Sequence, residues 1–136
     1  MLKRLATVSI YVKDQNEALR FYTEKLGFEI RNDVTNFGYR WVSVGLKDQP
    51  DLEIGLVPLQ AGGALTSEDI AVLTRLVKEG KLGAGVWKTD DCQKTYERLK
   101  TKGVEFEMPP TDRPYGTIDA VFRDNSGNRF VLQQEK

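Results

Sequence analysis

The chain has 136 residues, of which 40% are hydrophobic and 29% charged, with 20 Lys and Arg set against 20 Asp and Glu. This length and composition predict one soluble domain spanning residues 1–136. A formal net charge of zero excludes the excess of basic side chains that nucleic-acid binding requires, so we expect no nucleic-acid partner. The apolar runs are far shorter than the ~20 residues that cross a bilayer, which predicts no membrane partner and a cytoplasmic location.

Histidine is missing from the chain, and there is one cysteine. The first absence excludes Ser-His-Asp and Cys-His nucleophile pairs, zinc sites that contain His, and the two-His-one-carboxylate iron site. A single cysteine, Cys92, cannot form an internal disulfide or a cysteine zinc site, which fits a reducing compartment. We interpret Cys92 as a small thiol on a helix surface.

Residues 5–12 alternate in polarity and are rich in β-branched side chains, which predicts the first strand. One of its faces is apolar. The other carries the hydroxyl groups of Thr7, Ser9 and Tyr11, because side chains alternate between the two faces of a strand.

A helix is predicted next, with Asp14 as its N-cap and Gly27 as its stop. Three strand candidates follow, at residues 28–33, 39–44 and 52–57, separated by turn-rich segments. The first half of the chain, about residues 4–58, therefore predicts a βαβββ module.

Between the two halves lies a segment of about residues 59–81. A Gly pair and weak periodicity predict a loop over residues 58–65. The sequence Thr66-Ser67-Glu68-Asp69 then offers caps and acids for a helix that ends at Gly80. We expect an extra helix that connects the halves.

The second half, about residues 82–134, repeats the order of elements. Asp90 and Asp91 supply a helix cap and Gly103 a helix stop. Strands are predicted at residues 85–89, 104–107, 118–123 and 129–133. The fold class is therefore α+β, with two βαβββ modules and an extra helix between them.

Several short motifs carry a likeness to a known family. They are Val12-Lys13-Asp14, Ala18-Leu19-Arg20-Phe21-Tyr22, Lys25-Leu26-Gly27-Phe28, Asp90-Asp91, Tyr96-Glu97-Arg98-Leu99, Gly103-Val104 and Asp124-Asn125-Ser126-Gly127-Asn128. With these motifs the chain resembles the vicinal oxygen chelate superfamily, also called the glyoxalase/bleomycin resistance/extradiol dioxygenase superfamily, over nearly its whole length. One departure is Asn125, where these proteins usually have Pro.

The resemblance implies a cupped mixed sheet in each module, paired modules that enclose a cavity, and a homodimer. It also implies a divalent metal held by His and Glu, but the matching positions carry Thr7, Ala84 (or Gly83) and Val131. Only Glu53 stands at such a position with a suitable group. One carboxylate does not hold a catalytic metal, so we predict no metal and no cofactor.

Eight residues are candidates for ligand binding: Thr7, Ser9, Tyr11, Trp41, Glu53, Trp87, Arg113 and Tyr115. The hydroxyl face of the first strand is suited to lining a pocket, and the two tryptophans to stacking on a planar or cationic ligand. Core or interface packing is the alternative role for the tryptophans.

Glu53 is suited to act as a general base, and so is the catalytic candidate, or as an acceptor for a ligand amine. A solvated strand carboxylate is the alternative. In the loop of residues 112–116, Arg113 is suited to clamp an anion and Tyr115 to act as a gate, with an ordinary surface turn as the alternative.

Three functions remain open from the sequence. The first is a metal-free protein that binds or sequesters a small molecule such as a drug or metabolite, which the resemblance suggests. A lyase, isomerase or dioxygenase-type enzyme that works through Glu53, with Tyr11, is the second. The third is a protein-interaction module that uses its sheet edges.

Overall fold

The computed structural model describes residues 1–136, with three α-helices and eight β-strands. In chain order these are β1 (Thr7–Val12), α1 (Gln15–Arg20), β2 (Glu29–Asn36), β3 (Tyr39–Gly45), β4 (Glu53–Pro58), α2 (Ser67–Lys78), β5 (Gly83–Lys88), α3 (Cys92–Thr101), β6 (Glu105–Asp112), β7 (Thr117–Arg123) and β8 (Arg129–Glu135). The predicted α+β fold with two βαβββ modules and a helix between them is confirmed. No helix is long and apolar enough to cross a membrane.

The chain packs into two compact units, Met1–Thr74 and Arg75–Lys136, whose boundary falls inside α2. Each unit contains one four-stranded mixed sheet. The strand order is β1-β4-β3-β2 in the first sheet and β5-β8-β7-β6 in the second. In each sheet the first and last strands of the module pair in parallel, and the other pairs are antiparallel.

The core of the first unit lies between α1 and one face of its sheet. Asp14 caps α1 by accepting a hydrogen bond from the Glu17 backbone N–H at 2.8 Å, as its position in the sequence predicts. A π-helical turn, Phe21–Lys25, continues the helix towards Gly27. The buried side chains of this core are Ile10, Val12, Ala18, Phe21, Tyr22, Val42, Val44, Ile54 and Leu56.

The core of the second unit lies between α3 and its sheet, and it is aromatic. The ring centroids of Phe122 and Phe130 are 5.4 Å apart, and Phe106 joins them at 5.6 Å from Phe122. Cys92 is fully buried at the start of α3, so the interpretation of a surface thiol is wrong. The reason is that the first turn of α3 sits directly over Leu132, whose carbonyl the thiol faces at 3.8 Å.

Strand β6 runs five residues beyond the predicted 104–107 segment, to Asp112, and includes Pro109 and Pro110. Proline usually ends a strand because it lacks an N–H donor. Here β6 is an edge strand, and the pairing with β7 shifts register between Met108 and Thr111. An edge strand with a bulge tolerates proline, so the strand continues.

The turn of residues 124–128 is built around one carboxylate. Asp124 Oδ1 accepts hydrogen bonds from the backbone N–H groups of Ser126, Gly127 and Asn128, each at 2.9 Å. A Cβ atom on Gly127 would lie 2.3 Å from the carbonyl oxygen of Val77 in α2, so only glycine allows this approach. The backbone N–H of Asn125 is not one of these three donors, so the turn does not depend on whether Asn or the usual proline stands there.

Candidate functional site

The face of the first sheet that is turned away from α1 carries a row of polar groups; we call it the Glu53 face. In the parallel pairing of β1 with β4, Thr7 lies beside Glu53, Ser9 beside Gly55, and Tyr11 beside Val57. Paired residues of neighbouring strands project to the same face. The alternate residues Ile10 and Val12 of β1 are buried towards α1, whereas Thr7 and Ser9 are exposed.

Trp41 lies on the same face, and its ring fills the space that a side chain at Gly55 would take. Ser43 of β3 pairs with Gly55 of β4, and Trp41 is two residues from Ser43 on the same side of the strand. A Cβ atom on Gly55 would lie 2.5 Å from Cη2 of the Trp41 ring. The indole therefore lies directly against the sheet backbone, which only a glycine permits.

Glu53, Ser43 and Asn32 form a hydrogen-bonded cluster on the Glu53 face. Glu53 Oε1 accepts from the Ser43 hydroxyl at 2.6 Å and from Asn32 Nδ2 at 2.9 Å. Asn32 Nδ2 also donates to Ser43 Oγ at 3.2 Å. Ser43 is fully buried, so the cluster fixes one carboxylate oxygen of Glu53 in place.

Tyr11 and Glu53 are not neighbours on this face. Tyr11 is four residues along β1 from Thr7, the residue beside Glu53, which separates them by ~13 Å along the strand. The pair that the enzyme hypothesis requires is therefore spread along the sheet and does not converge on one point.

A second polar cluster lies on the face of the second sheet that is turned away from α3; we call it the Asp119 face. Asp119 is 5% exposed. It accepts hydrogen bonds at 2.9 Å from the hydroxyls of Tyr115 and Thr117, and Arg113 Nε lies 3.9 Å away. Gln133 of β8 is paired with Asp119 in the sheet.

The environment of Asp119 shifts its acidity in two directions. Burial by itself raises the pKa of Asp119, but the hydrogen bonds from Tyr115 and Thr117, the neighbouring amide of Gln133 and the charge of Arg113 outweigh it and leave the pKa below its usual value. The same contact raises the pKa of Tyr115, chiefly because its O–H donates to the Asp119 carboxylate. Asp119 is thus an ionised carboxylate, and each of its oxygens already accepts a hydrogen bond from a neighbouring hydroxyl.

Trp87 lies on the other face of the second sheet. It pairs with Leu132 of β8, and its ring centroid is 5.8 Å from that of Phe130 in the aromatic core. This is the packing role that the sequence left open for one tryptophan. The structure thus gathers Thr7, Ser9, Tyr11, Trp41 and Glu53 on one face of the first unit, Arg113 and Tyr115 at Asp119 in the second unit, and Trp87 with neither group.

Cys92 is no nucleophile in this environment. Burial raises the pKa of its thiol, and the negative charges of Asp119 and Asp91 raise it further. The helix terminus at which the thiol lies does not reverse this, so the thiol stays protonated.

A cleft of about 460 Å³ lies at the N-terminal end of α3, and none of its lining residues is a predicted site residue. Asp91 in its wall already caps α3 by accepting from the Lys94 backbone N–H at 2.9 Å. The remaining wall mixes exposed charges of both signs, so the cleft offers no preference for one kind of ligand.

The donor set on the Glu53 face does not fit the divalent metal of the resembled family. No three His, Cys, Asp or Glu side chains come together anywhere in the structure. Beside Glu53 stand the neutral hydroxyl of Thr7 and the amide of Asn32, and the latter donates to the carboxylate. Neutral hydroxyl and amide groups do not replace the imidazoles of such a site.

Comparison with known proteins places the chain in a family. Residues 4–132 match the Glyoxalase/Bleomycin resistance protein/Dioxygenase superfamily model, so the chain belongs to this superfamily. The uncharacterized protein YurT of Bacillus subtilis (strain 168) is 39% identical over 133 residues, which cover 97% of this chain and 99% of YurT.

Two solved structures show the same fold. The crystal structure of UcmS2 superposes with a TM-score of 0.92 and 44% identity, covering 99% of this chain and 100% of UcmS2. The structure of TnmS3, described as an antibiotic binding protein from Streptomyces sp. CB03234, superposes with a TM-score of 0.77 and 27% identity, covering 99% of this chain and 98% of TnmS3.

Sequence reasoning missed Asn32, Ser43 and Asp119. A β-strand pattern shows that residues 41, 43 and 45 share a face, and this signal points to Ser43 as a neighbour of Trp41. No such signal exists for Asn32, because a register shift between Ile30 and Asn32 decides which face of β2 it occupies. Asp119 alternates with apolar residues in β7, but only the sheet brings Tyr115 and Gln133 to it.

Proposed function

We propose that this protein binds a small organic molecule with a planar ring on the Glu53 face, without a metal or cofactor. The observation that carries the proposal is the position of Trp41, whose ring lies against Gly55 beside the Glu53 cluster. A rigid aromatic surface next to a few fixed polar groups is the usual make-up of a small-molecule site.

The family context agrees with this proposal. TnmS3, which shares the fold at 27% identity, is described as an antibiotic binding protein. We extend that activity to this chain as a proposal: sequestration of a drug or metabolite, by a cytoplasmic protein with no nucleic-acid partner. Arg113 and Tyr115 are not needed for it, because both already contact Asp119.

The test is a binding screen of antibiotics with fused aromatic rings by isothermal titration calorimetry. We expect at least one compound to bind with micromolar affinity or better, and Trp41→Ala to weaken that binding at least about tenfold through the lost stacking surface. Trp87→Phe is the control, because Trp87 belongs to the second sheet and packs against Phe130 in the core of the second unit. Binding that survives Trp41→Ala, or no binding across the screen, overturns the proposal.

A homodimer is part of the proposal, since the family resemblance implies paired subunits and the twofold dimer is the commonest symmetric oligomer. Native mass spectrometry of the protein purified from cells reports its mass and any retained compound in one spectrum. We expect twice the chain mass and a discrete organic adduct. A monomer contradicts the dimer, and a stoichiometric divalent metal contradicts the metal-free site.

An enzyme of the lyase, isomerase or dioxygenase type that works through Glu53 is the competing function. It is less well supported, because Tyr11 stands four residues along β1 from the neighbour of Glu53. If Glu53→Gln abolishes turnover of a compound that the protein binds, the enzyme replaces the binder.

A further inference from the structure

The hydrogen-bonding capacity of the Glu53 cluster is unevenly used. The single hydroxyl proton of Ser43 goes to Glu53 Oε1. Asn32 Nδ2 donates to both Glu53 Oε1 and Ser43 Oγ, and because these two acceptors are only 2.6 Å apart, one N–H serves both. The Ser43 hydroxyl proton and one N–H of Asn32 are therefore used inside the cluster.

Most of the capacity that remains consists of acceptors. Glu53 Oε2 and Asn32 Oδ1 receive no hydrogen bond from the protein, whereas Oε1 of the same carboxylate receives two. The orientation of the Asn32 amide is fixed, because the flipped amide would set its oxygen against the Glu53 carboxylate. A ligand that binds to Glu53 Oε2 must therefore bring the donor.

The charge of Glu53 is also left without a cation. Glu53 takes part in none of the ion pairs of the chain. Arg31 is engaged elsewhere: it donates to the carbonyls of Leu46 at 2.7 Å and Pro50 at 3.0 Å and pairs with Glu29. A half-buried carboxylate that is held only by neutral donors attracts a positive charge.

The neighbouring indole has the same preference. The face of a tryptophan ring is the best cation–π partner among the side chains. Trp41 lies over Gly55, two residues from Glu53 on the same strand and the same face. Carboxylate and ring thus favour a positively charged group at one place.

We propose that the Glu53 face selects organic cations, namely planar aromatic compounds with a protonated amine that donates to Glu53 Oε2 and Asn32 Oδ1 while the ring packs on Trp41. This inference rests on the proposed function and adds the chemical class of the ligand.

The experiment uses three probes that share one ring: 1-naphthylmethylamine, 1-naphthalenemethanol and 1-naphthoate, titrated at pH 7 by calorimetry into the intact protein. We expect the amine to bind at least about tenfold more tightly than the alcohol, and the acid to bind most weakly. In Glu53→Gln we expect the preference of amine over alcohol to fall below about threefold, with the affinity for the alcohol little changed.

Glu24→Gln is the matched control, because it removes an exposed carboxylate of the same unit that lies outside the cluster. It should leave the preference for the amine intact. Chemical denaturation of both variants checks that each is folded.

The outcomes separate the two proposals. If all three probes bind, Trp41→Ala weakens them equally, and the amine has no advantage, the site stands and the cation preference is wrong. If 1-naphthoate binds as tightly as the amine, or Glu53→Gln keeps the preference, the cation proposal is likewise overturned. If no probe responds to Trp41→Ala, the site on the Glu53 face fails as well.

Discussion

The two units share a strand order, and each sheet carries a hydrogen-bonded carboxylate on the face turned away from its helix, Glu53 in the first and Asp119 in the second, yet the two are held differently. Asp119 receives a hydrogen bond on each oxygen, from the hydroxyls of Tyr115 and Thr117, and is 5% exposed. Glu53 receives both of its hydrogen bonds at Oε1 and is only partly buried. The comparison teaches that the distribution of local donors over the two oxygens decides whether a carboxylate stabilises the fold or remains available to a ligand.

A second contrast concerns the connection between the third and fourth strands of each module. In the first module the Arg31 guanidinium holds this connection by donating hydrogen bonds to the carbonyl oxygens of Leu46 and Pro50. In the second module the Asp124 carboxylate holds the connection by accepting hydrogen bonds from three backbone N–H groups. The same place in the fold is thus fixed by opposite charges.

The largest effect that we expect is from Asp124→Ala. This change removes the acceptor of three backbone N–H groups at a residue that is 5% exposed, and should lower the free energy of unfolding by about 3 kcal/mol. Urea denaturation measures it. Asp112→Ala is the control, since that exposed side chain pairs only at the surface with Lys136 and should cost less than about 0.5 kcal/mol. Equal losses for the two variants would contradict the role of the turn.

Asp119→Asn should follow, with a loss of about 2 kcal/mol, because an amide N–H₂ would face groups that themselves donate. Glu53→Gln is its counterpart in the first unit and should cost less than about 1 kcal/mol, because half of that carboxylate has no protein donor. Denaturation of both variants under one condition tests the contrast directly. A larger loss for Glu53→Gln would reverse our assignment of structural and binding roles.

Gly55→Ala should lower the free energy of unfolding by about 1 to 2 kcal/mol and weaken ligand binding, because the new Cβ would lie 2.5 Å from the Trp41 ring. Gly83→Ala is the matched strand glycine, since its Cβ would meet nothing within 4 Å. Calorimetry with a ligand that responds to Trp41→Ala measures the binding effect. Unchanged affinity in Gly55→Ala would mean that the ligand does not use the indole where it lies.

The smallest effect that we expect is on the free energy of unfolding at acidic pH. The folded pKa of Asp119 lies below its unfolded value of about 4, so its contribution to stability is fully present above that pH and is lost as the pH falls through the folded pKa. Below about pH 4 the free energy of unfolding should therefore fall more steeply in the wild type than in Asp119→Asn. Denaturant titrations at several pH values compare the slopes. Parallel curves would show that Asp119 titrates alike in both states.

Much of the fold followed from local patterns. The caps at Asp14 and Asp91 and the repeated order of strands predict both modules, because capping and alternation are encoded within a few residues. The end of β6 was not predictable in this way. Whether Pro109 ends a strand depends on whether that strand lies at an edge, which is a property of the whole sheet.

For the candidate site the division is sharper. The sequence by itself determined that the chain lacks the histidines of its family's metal site and that Thr7, Ser9 and Tyr11 share a strand face, since composition and the two-residue period require no tertiary contact. Only the tertiary structure decided which tryptophan joins that face and which carboxylate keeps an open oxygen. Those outcomes depend on strand register and on donors from distant parts of the chain, such as Asn32 for Glu53, and a linear sequence does not record them.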